Sequence, residues 1–223
     1  LAAETAGRLP IVTNVVSAFT LPIIMMGFEK WITLLFSSQK ELIETTLTKA
    51  HLLTTRLIEA LRKAGAQLIA YSNPLGTSEF ITHQQFLELA LPWVKQDFAA
   101  VGPHDLVYFG GGGPILDQIE DLITTCGAGA FYMHPSDHIP TAKEIVRGRG
   151  IVAGVINDMK LMHHWSTTAI RNEVRRIMLE GGPGGGFMFG TLVMPYMIPE
   201  DQIKQMMDAA REYGRREYIE EHA

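Results

Sequence analysis

The sequence predicts an α/β fold built on a parallel sheet, and three observations carry that prediction. Short apolar runs alternate with longer amphipathic segments along the chain. The runs lack a polar face, as strands covered by helices on both sides do. Each run ends in a turn opened by Ser, Asn, Gly or His. The clearest unit is Asp105–Pro114, DLVYFGGGGP. Leu106 to Phe109 is too short for a helix and suits a buried strand. Gly110–Gly113 lets the backbone turn tightly or approach a ligand. Pro114 then opens the amphipathic segment ILDQIEDLITTC.

Taken in order, Leu1–Leu9 reads as a helix end or linker, and Ile11–Val16 as the first strand. Ser17–Pro22 is a turn and Ile23–Phe36 a helix. Ser38, with Glu41 three residues on, has the spacing of a capping box for a helix running to Ala64. Its apolar stripe is Ile43, Leu47, Ala50, Leu57 and Leu61, and Gly65 ends it. Gln67–Ser72 is the second strand, followed by a polar loop over Asn73–Ile81. Thr82 caps a helix to Ala99 that Pro92 kinks. The third strand is Leu106–Phe109 and the fourth Ala130–Met133, which runs into HPSDH at His134–His138. Thr141–Arg147 is a short helix and Ile151–Ile156 the fifth strand, ending at Asn157–Asp158. A loop with His163, His164 and Trp165 leads to a helix over Thr168–Leu179. A flexible Gly181–Gly186 connection then leads to the sixth strand, Phe187–Phe189. Glu200–Tyr218 closes the chain as one helix with Ile203, Met206, Met207, Ala210 and Tyr213 inward.

Composition narrows the function classes. At 223 residues the chain can bury a large core, as one domain or at most two. A net charge of −5 with 19% charged residues leaves no basic footprint for nucleic acid. The single cysteine, Cys126, excludes an intramolecular disulfide and a thiolate-rich metal cluster, and makes a cytoplasmic protein the simplest reading. No apolar run reaches the ~18 residues that span a membrane. Chain position 1 is Leu1 rather than methionine, which reads as a fragment or a processed chain. No GxGxxG or GxxxxGK[ST] follows a strand, which disfavours the nucleotide folds. On pattern alone a doubly wound sheet and a (β/α)8 barrel both stay open.

Several phrases together resemble the uroporphyrinogen decarboxylase superfamily, which includes the corrinoid-linked methyltransferases. They are AFTLPIIMMGFE from Ala18, NPLGTSEFITHQQFLELALPWVK from Asn73, GVIN from Gly154 and MPYMIPEDQI from Met194. The resemblance covers nearly the whole chain and implies a (β/α)8 TIM barrel as a single domain over 1–223. Six recognised strands against eight place the first of them after the family's first βα units. The spacing from Asn73 to Phe86 is similar to the methyltransferase arm, and the decarboxylases' F-D-S-W motif is missing.

The resemblance also places the family's catalytic positions. Tyr108 and Gly110 stand where thiol-methylating members carry H-x-C for zinc, and the later cysteine falls near Thr191 or Leu192. None of these is a soft ligand, so no zinc is expected there. The decarboxylase tyrosine falls at Ile24, its serine near Pro74 and its late histidine near Thr191. The resemblance implies no covalently bound cofactor. It implies a tetrapyrrole, corrinoid or other small-molecule substrate, with a corrinoid protein as the partner; no nucleic acid and no membrane are expected.

In a barrel, ligands sit at the C-terminal ends of the strands. There the candidates for substrate binding are Thr20, Asn73, Tyr108, the backbone of Gly110 and Gly111, Asn157 and Thr191. Asn73 and Asn157 stand where the family usually has Asp, and an amide orients a ligand but is no base near neutral pH. His134, Asp137 and His138 form the densest ionisable group, in which the carboxylate can orient either imidazole for acid–base work. Asp158 is a further candidate carboxylate. Met25, Met26 and Met194 are candidates for lining a pocket for a large flat ligand, although most methionines fill cores. The leading expectation is a methyltransferase for a corrinoid-bound or other one-carbon substrate. A divergent decarboxylase of tetrapyrrole carboxylates and a non-catalytic binding barrel are the alternatives.

Overall fold

The computed structural model describes residues 7, 9–191 and 194–223. The expected linker at 1–9 falls largely outside them, as does Leu192. No helix among the described residues is long and apolar enough to cross a membrane. The chain divides into two compact units, 1–113 with 120–129, and 114–119 with 130–223.

The first unit opens with β1 (Val12–Val16), followed by helices α1 (Leu21–Met26), α2 (Phe28–Leu35) and α3 (Lys40–Lys63). Strand β2 (Leu68–Ser72) comes next, then a single 3-10 turn at Pro74–Gly76. The short α4 (His83–Gln85), a π-helical stretch Phe86–Ala90 and α5 (Leu91–Val101) lead to β3 (Leu106–Phe109). Helix α6 (Ile119–Cys126) then follows. The three strands run parallel, with Val15 opposite Tyr71 and Tyr71 opposite Tyr108. Large side chains fill the core: Phe19, Trp31, Tyr71, Phe86, Phe98 and Tyr108 are all sealed from solvent.

The second unit holds β4 (Ala130–Tyr132), α7 (Ile139–Val146), β5 (Ile151–Ile156), α8 (Asp158–Met162) and α9 (Thr167–Gly181). Strand β6 (Phe187–Thr191), α10 (Glu200–Tyr213) and α11 (Arg216–His222) complete it. Its strands are also parallel, in the order β4-β5-β6, with Gly154 opposite Phe189. Ile156, Ile170, Val174, Ile177 and Met206 are the centre of its core. The α/β class and the six parallel strands expected from the sequence are the ones observed.

Several boundaries differ for physical reasons. The expected helix Ile23–Phe36 is two helices, because Gly27 takes φ 92° and ψ 154° between them. Ser38 does not cap α3; Ser37 Oγ instead accepts the Gln39 amide in the turn before it. Leu57 does not join the inward stripe of α3 and is 42% exposed. The buried line runs Leu47, Ala50, Thr54, Ile58, and Thr54 is admitted because its hydroxyl donates to the Val16 carbonyl at 3.0 Å. Thr82 caps α4 as expected, in a capping box with Gln85. The kink at Pro92 takes the form of the π turn just before it, which removes the clash of the proline ring with the carbonyl four residues back. Pro114 opens no helix, since the Ile115 and Leu116 amides turn to the Asp137 carboxylate. Asn157 starts α8, where a loop was expected, and the closing helix is broken at Gly214.

Candidate functional site

In the first unit the C-terminal ends of the three strands meet in one hydrogen-bonded cluster. Asn73, directly after β2, is fully buried. Its Oδ1 accepts from Ser17 Oγ at 2.7 Å and from Thr20 Oγ1 at 3.1 Å. Its Nδ2 donates to Tyr108 Oη at 2.9 Å. Ser17 Oγ in turn accepts the Thr20 amide, and Thr20 Oγ1 accepts the Leu75 amide. Thr20, Asn73 and Tyr108, chosen separately from the sequence, are therefore one unit of structure, with Ser17 the member that sequence reasoning missed. The cluster fixes three strand ends with neutral groups, and its amide offers no base.

The glycine turn after β3 serves close packing. A Cβ at Gly111 would lie 2.7 Å from Pro74 Cβ, and one at Gly113 would lie 2.3 Å from Thr77 Oγ1. Gly112 meets nothing but has φ +121°, a region that favours glycine. Gly110 is buried, and its carbonyl accepts the Gly113 amide. The β3 turn is thus seated on the β2 turn.

Behind the same strand ends lies a buried network with no local sequence signature. Asp97 on α5 is fully buried. Its Oδ2 accepts from Tyr71 Oη at 2.5 Å and from the Ala18 amide at 3.1 Å, and its Oδ1 lies 2.6 Å from His51 Nδ1. Burial pushes the Asp97 carboxyl above its ordinary range, against the opposing pull of its hydrogen bonds. Burial, together with the Asp97 charge, raises the Tyr71 phenol well above its own.

In the second unit His134 and Asp137 share the loop after β4, but not as a carboxylate–imidazole pair. Asp137 accepts three backbone amides, from His134 at 2.9 Å, Ile115 at 3.1 Å and Leu116 at 3.3 Å. Burial raises its pKa and those bonds oppose the rise. The His134 ring faces Ser136 Oγ at 2.7 Å, and His138 faces Thr141 Oγ1 at 2.8 Å. Asn157 and Asp158 belong to a separate feature: Asn157 Oδ1 accepts the Lys160 amide as the cap of α8, and Asp158 is buried in the first turn. Thr191 ends β6, where its carbonyl accepts the Tyr132 hydroxyl.

The residues at the H-x-C positions do not fit a zinc ion. Tyr108 Oη is already engaged by the Asn73 amide, and Gly110 supplies no side chain. Among the described residues no group of three or more His, Cys, Asp or Glu is placed to hold a metal.

Comparison with known proteins agrees with this architecture. A family model described as uroporphyrinogen decarboxylase matches residues 1–213. Uroporphyrinogen decarboxylase of Alkalilimnicola ehrlichii is 26% identical over 99% of this chain and 61% of its own length. That of Hahella chejuensis is 29% identical over 94% of this chain and 60% of its own. The chain thus spans about 60% of the length of these curated relatives. A methyltransferase from Methanosarcina mazei shares the fold at a TM-score of 0.76 and 16% identity, over 96% of this chain and 62% of its own.

Proposed function

The chain belongs to the uroporphyrinogen decarboxylase family, and from that premise we propose that it forms the strand-end face of a methyltransferase for a corrinoid-bound or other small one-carbon substrate. On this reading the enzyme works without the zinc centre of thiol-methylating relatives. In the first unit Asn73 with Ser17, Thr20 and Tyr108 would set the floor of a ligand face; in the second, taken by itself, His134 is the candidate proton carrier and Asn157 and Thr191 the candidate polar contacts.

One observation carries this reading over the family's other chemistry: the strand-end segments of the first unit are free of cations. Residues 17–27, 73–82 and 110–113 contain no lysine or arginine. A tetrapyrrole bearing many carboxylates calls for cationic hydrogen-bond donors. The same segments instead expose apolar surface, with Ile24 at 65% and Met25 at 69%, and the adjoining Phe28 packs on Phe80 with tilted rings, centroids 5.7 Å apart. Such a surface suits a large macrocycle or the protein that carries one.

The test is spectroscopic titration of the chain with methylcobalamin and, separately, with uroporphyrin. Saturable cobalamin binding with weak or absent porphyrin binding is expected. Porphyrin binding alone would overturn the proposal in favour of decarboxylation, the activity named for the curated relatives. Cobalamin binding without methyl transfer by the whole protein would mark a binding barrel. One tightly bound zinc by elemental analysis, with Tyr108 or Gly110 at the metal in a crystal structure, would overturn the zinc-free part of the reading.

A further inference from the structure

Asp97 is a fully buried ionisable group that the proposed chemistry leaves unused, and its contacts lead back to the site. Four elements converge on it: α3 through His51, β2 through Tyr71, its own helix α5, and the turn after β1 through the Ala18 amide. The Ala18 contact links the network to the site, because Ala18 sits between Ser17 and Thr20's turn and both of those side chains hold Asn73 Oδ1. The turn is itself tight, with the Thr20 and Leu21 amides both returning to the Ser17 carbonyl. A carboxylate oxygen at 3.1 Å from the Ala18 amide therefore sets where the two hydroxyls point.

We propose that Asp97 is a positioning residue, which clamps the Ala18 amide and thereby holds Ser17 and Thr20 on Asn73 at the floor of the site. It acts through the Ser17–Thr20 turn and touches no substrate. The role in ligand binding rests on the strand ends being the ligand face, as proposed above; the clamp itself does not. Two neighbours separate the clamp from general stability. Tyr71→Phe and His51→Gln each remove one partner of the carboxylate but leave the Asp97–Ala18 bond. Asp97→Asn keeps an acceptor for Ala18 and Tyr71 and turns its amide nitrogen to His51, so it should rescue the clamp.

Amide hydrogen exchange by NMR, read at Ala18 and Thr20 in the folded chain, gives the decisive measurement. Asp97→Leu should exchange at least about tenfold faster at these two amides, while the β5 amides keep their protection. Methylcobalamin affinity should fall by about tenfold in the same variant. Asp97→Asn, Tyr71→Phe and His51→Gln should keep Ala18 exchange and affinity within about threefold of the parent. Unchanged Ala18 exchange in folded Asp97→Leu would overturn the clamp, as would equal loosening in Tyr71→Phe. Should Asp97→Leu not fold, Asp97→Asn decides: faster exchange at Ala18 there would overturn the proposal. If the parent chain binds no cobalamin, the functional reading fails while the exchange result still judges the clamp.

Discussion

The Asn73 amide occupies the space that a side chain at Gly76 would need. A Cβ built on Gly76 lies 2.2 Å from Asn73 Nδ2 and 2.9 Å from Asn73 Cγ. Asn73 is held from three other directions by Ser17, Thr20 and Tyr108, so it has nowhere to go. Gly76→Ala should therefore cost about 3 kcal/mol, at the upper end of overpacking effects. Urea denaturation checks this, and an unchanged midpoint would mean that the turn relaxes freely.

Asn73 itself should discriminate between substitutions by hydrogen-bonding capacity. Asn73→Asp keeps acceptors for Ser17 and Thr20, and the Tyr108 hydroxyl can donate to the new oxygen. Asn73→Leu deprives buried hydroxyls of their shared acceptor and should cost about 3 kcal/mol. Parallel denaturation curves of the two variants give the comparison, with the aspartate variant expected to be the more stable at neutral pH.

Arg62 binds Asp105 through two nitrogens, Nε at 2.8 Å on Oδ2 and Nη2 on Oδ1, and also donates to the Val101 and Gly102 carbonyls. It joins the end of α5 to the start of β3. Burial alone would raise the Asp105 pKa, but the Arg62 hydrogen bonds and charge outweigh it and hold the carboxyl below its ordinary value. A depressed folded-state pKa contributes stability above the unfolded value, lost as pH falls through the folded one. Stability of the parent should thus fall below about pH 4 more steeply than that of Asp105→Asn. Urea midpoints measured from neutral pH down to acid test the sign.

Burial pushes the Cys126 thiol up to about 12. Alkylation needs the thiolate, so native Cys126 should react with iodoacetamide at least about a hundredfold more slowly than a free thiol. Unfolding in urea should restore the ordinary rate. Rapid labelling of the native chain would show that the α6 end opens readily.

His134→Ala tests the proposed proton-transfer role. The ring touches a loop serine and is only partly buried, so its loss should leave Tm nearly unchanged. Turnover by the whole protein should drop about 10²-fold. Full activity in the variant would remove His134 from the mechanism.

How much of this was legible depends on how far apart the partners lie in the chain. Strand β5 is recognised with its exact ends because IVAGVI is a local pattern. The Thr82 cap is equally local, its partner being three residues away. Thr54 and Thr55 were missed on α3, since hydropathy favours Leu57 over a threonine whose hydroxyl finds a carbonyl. Asp97 carried no signal either: a lone acidic residue on a helix reads as a solvated face, and its partners lie 26, 46 and 79 residues away.

The sequence by itself determined the α/β class, the succession of six strands along the chain, the strand that carries Tyr108 and the turns in which Thr20, Asn73 and His134 lie. Hydrophobic periodicity and turn chemistry are properties of neighbouring residues, and so are the short phrases that carry the family resemblance. Only the tertiary structure decided what those residues do to one another. It joined Ser17, Thr20 and Tyr108 through Asn73, turned Asp137 from imidazole to backbone amides, and set Asp97 behind the Ser17–Thr20 turn. Hydrogen bonds to buried polar groups are made wherever the fold brings a partner within about 3 Å, and that distance is a consequence of packing rather than of spacing along the chain.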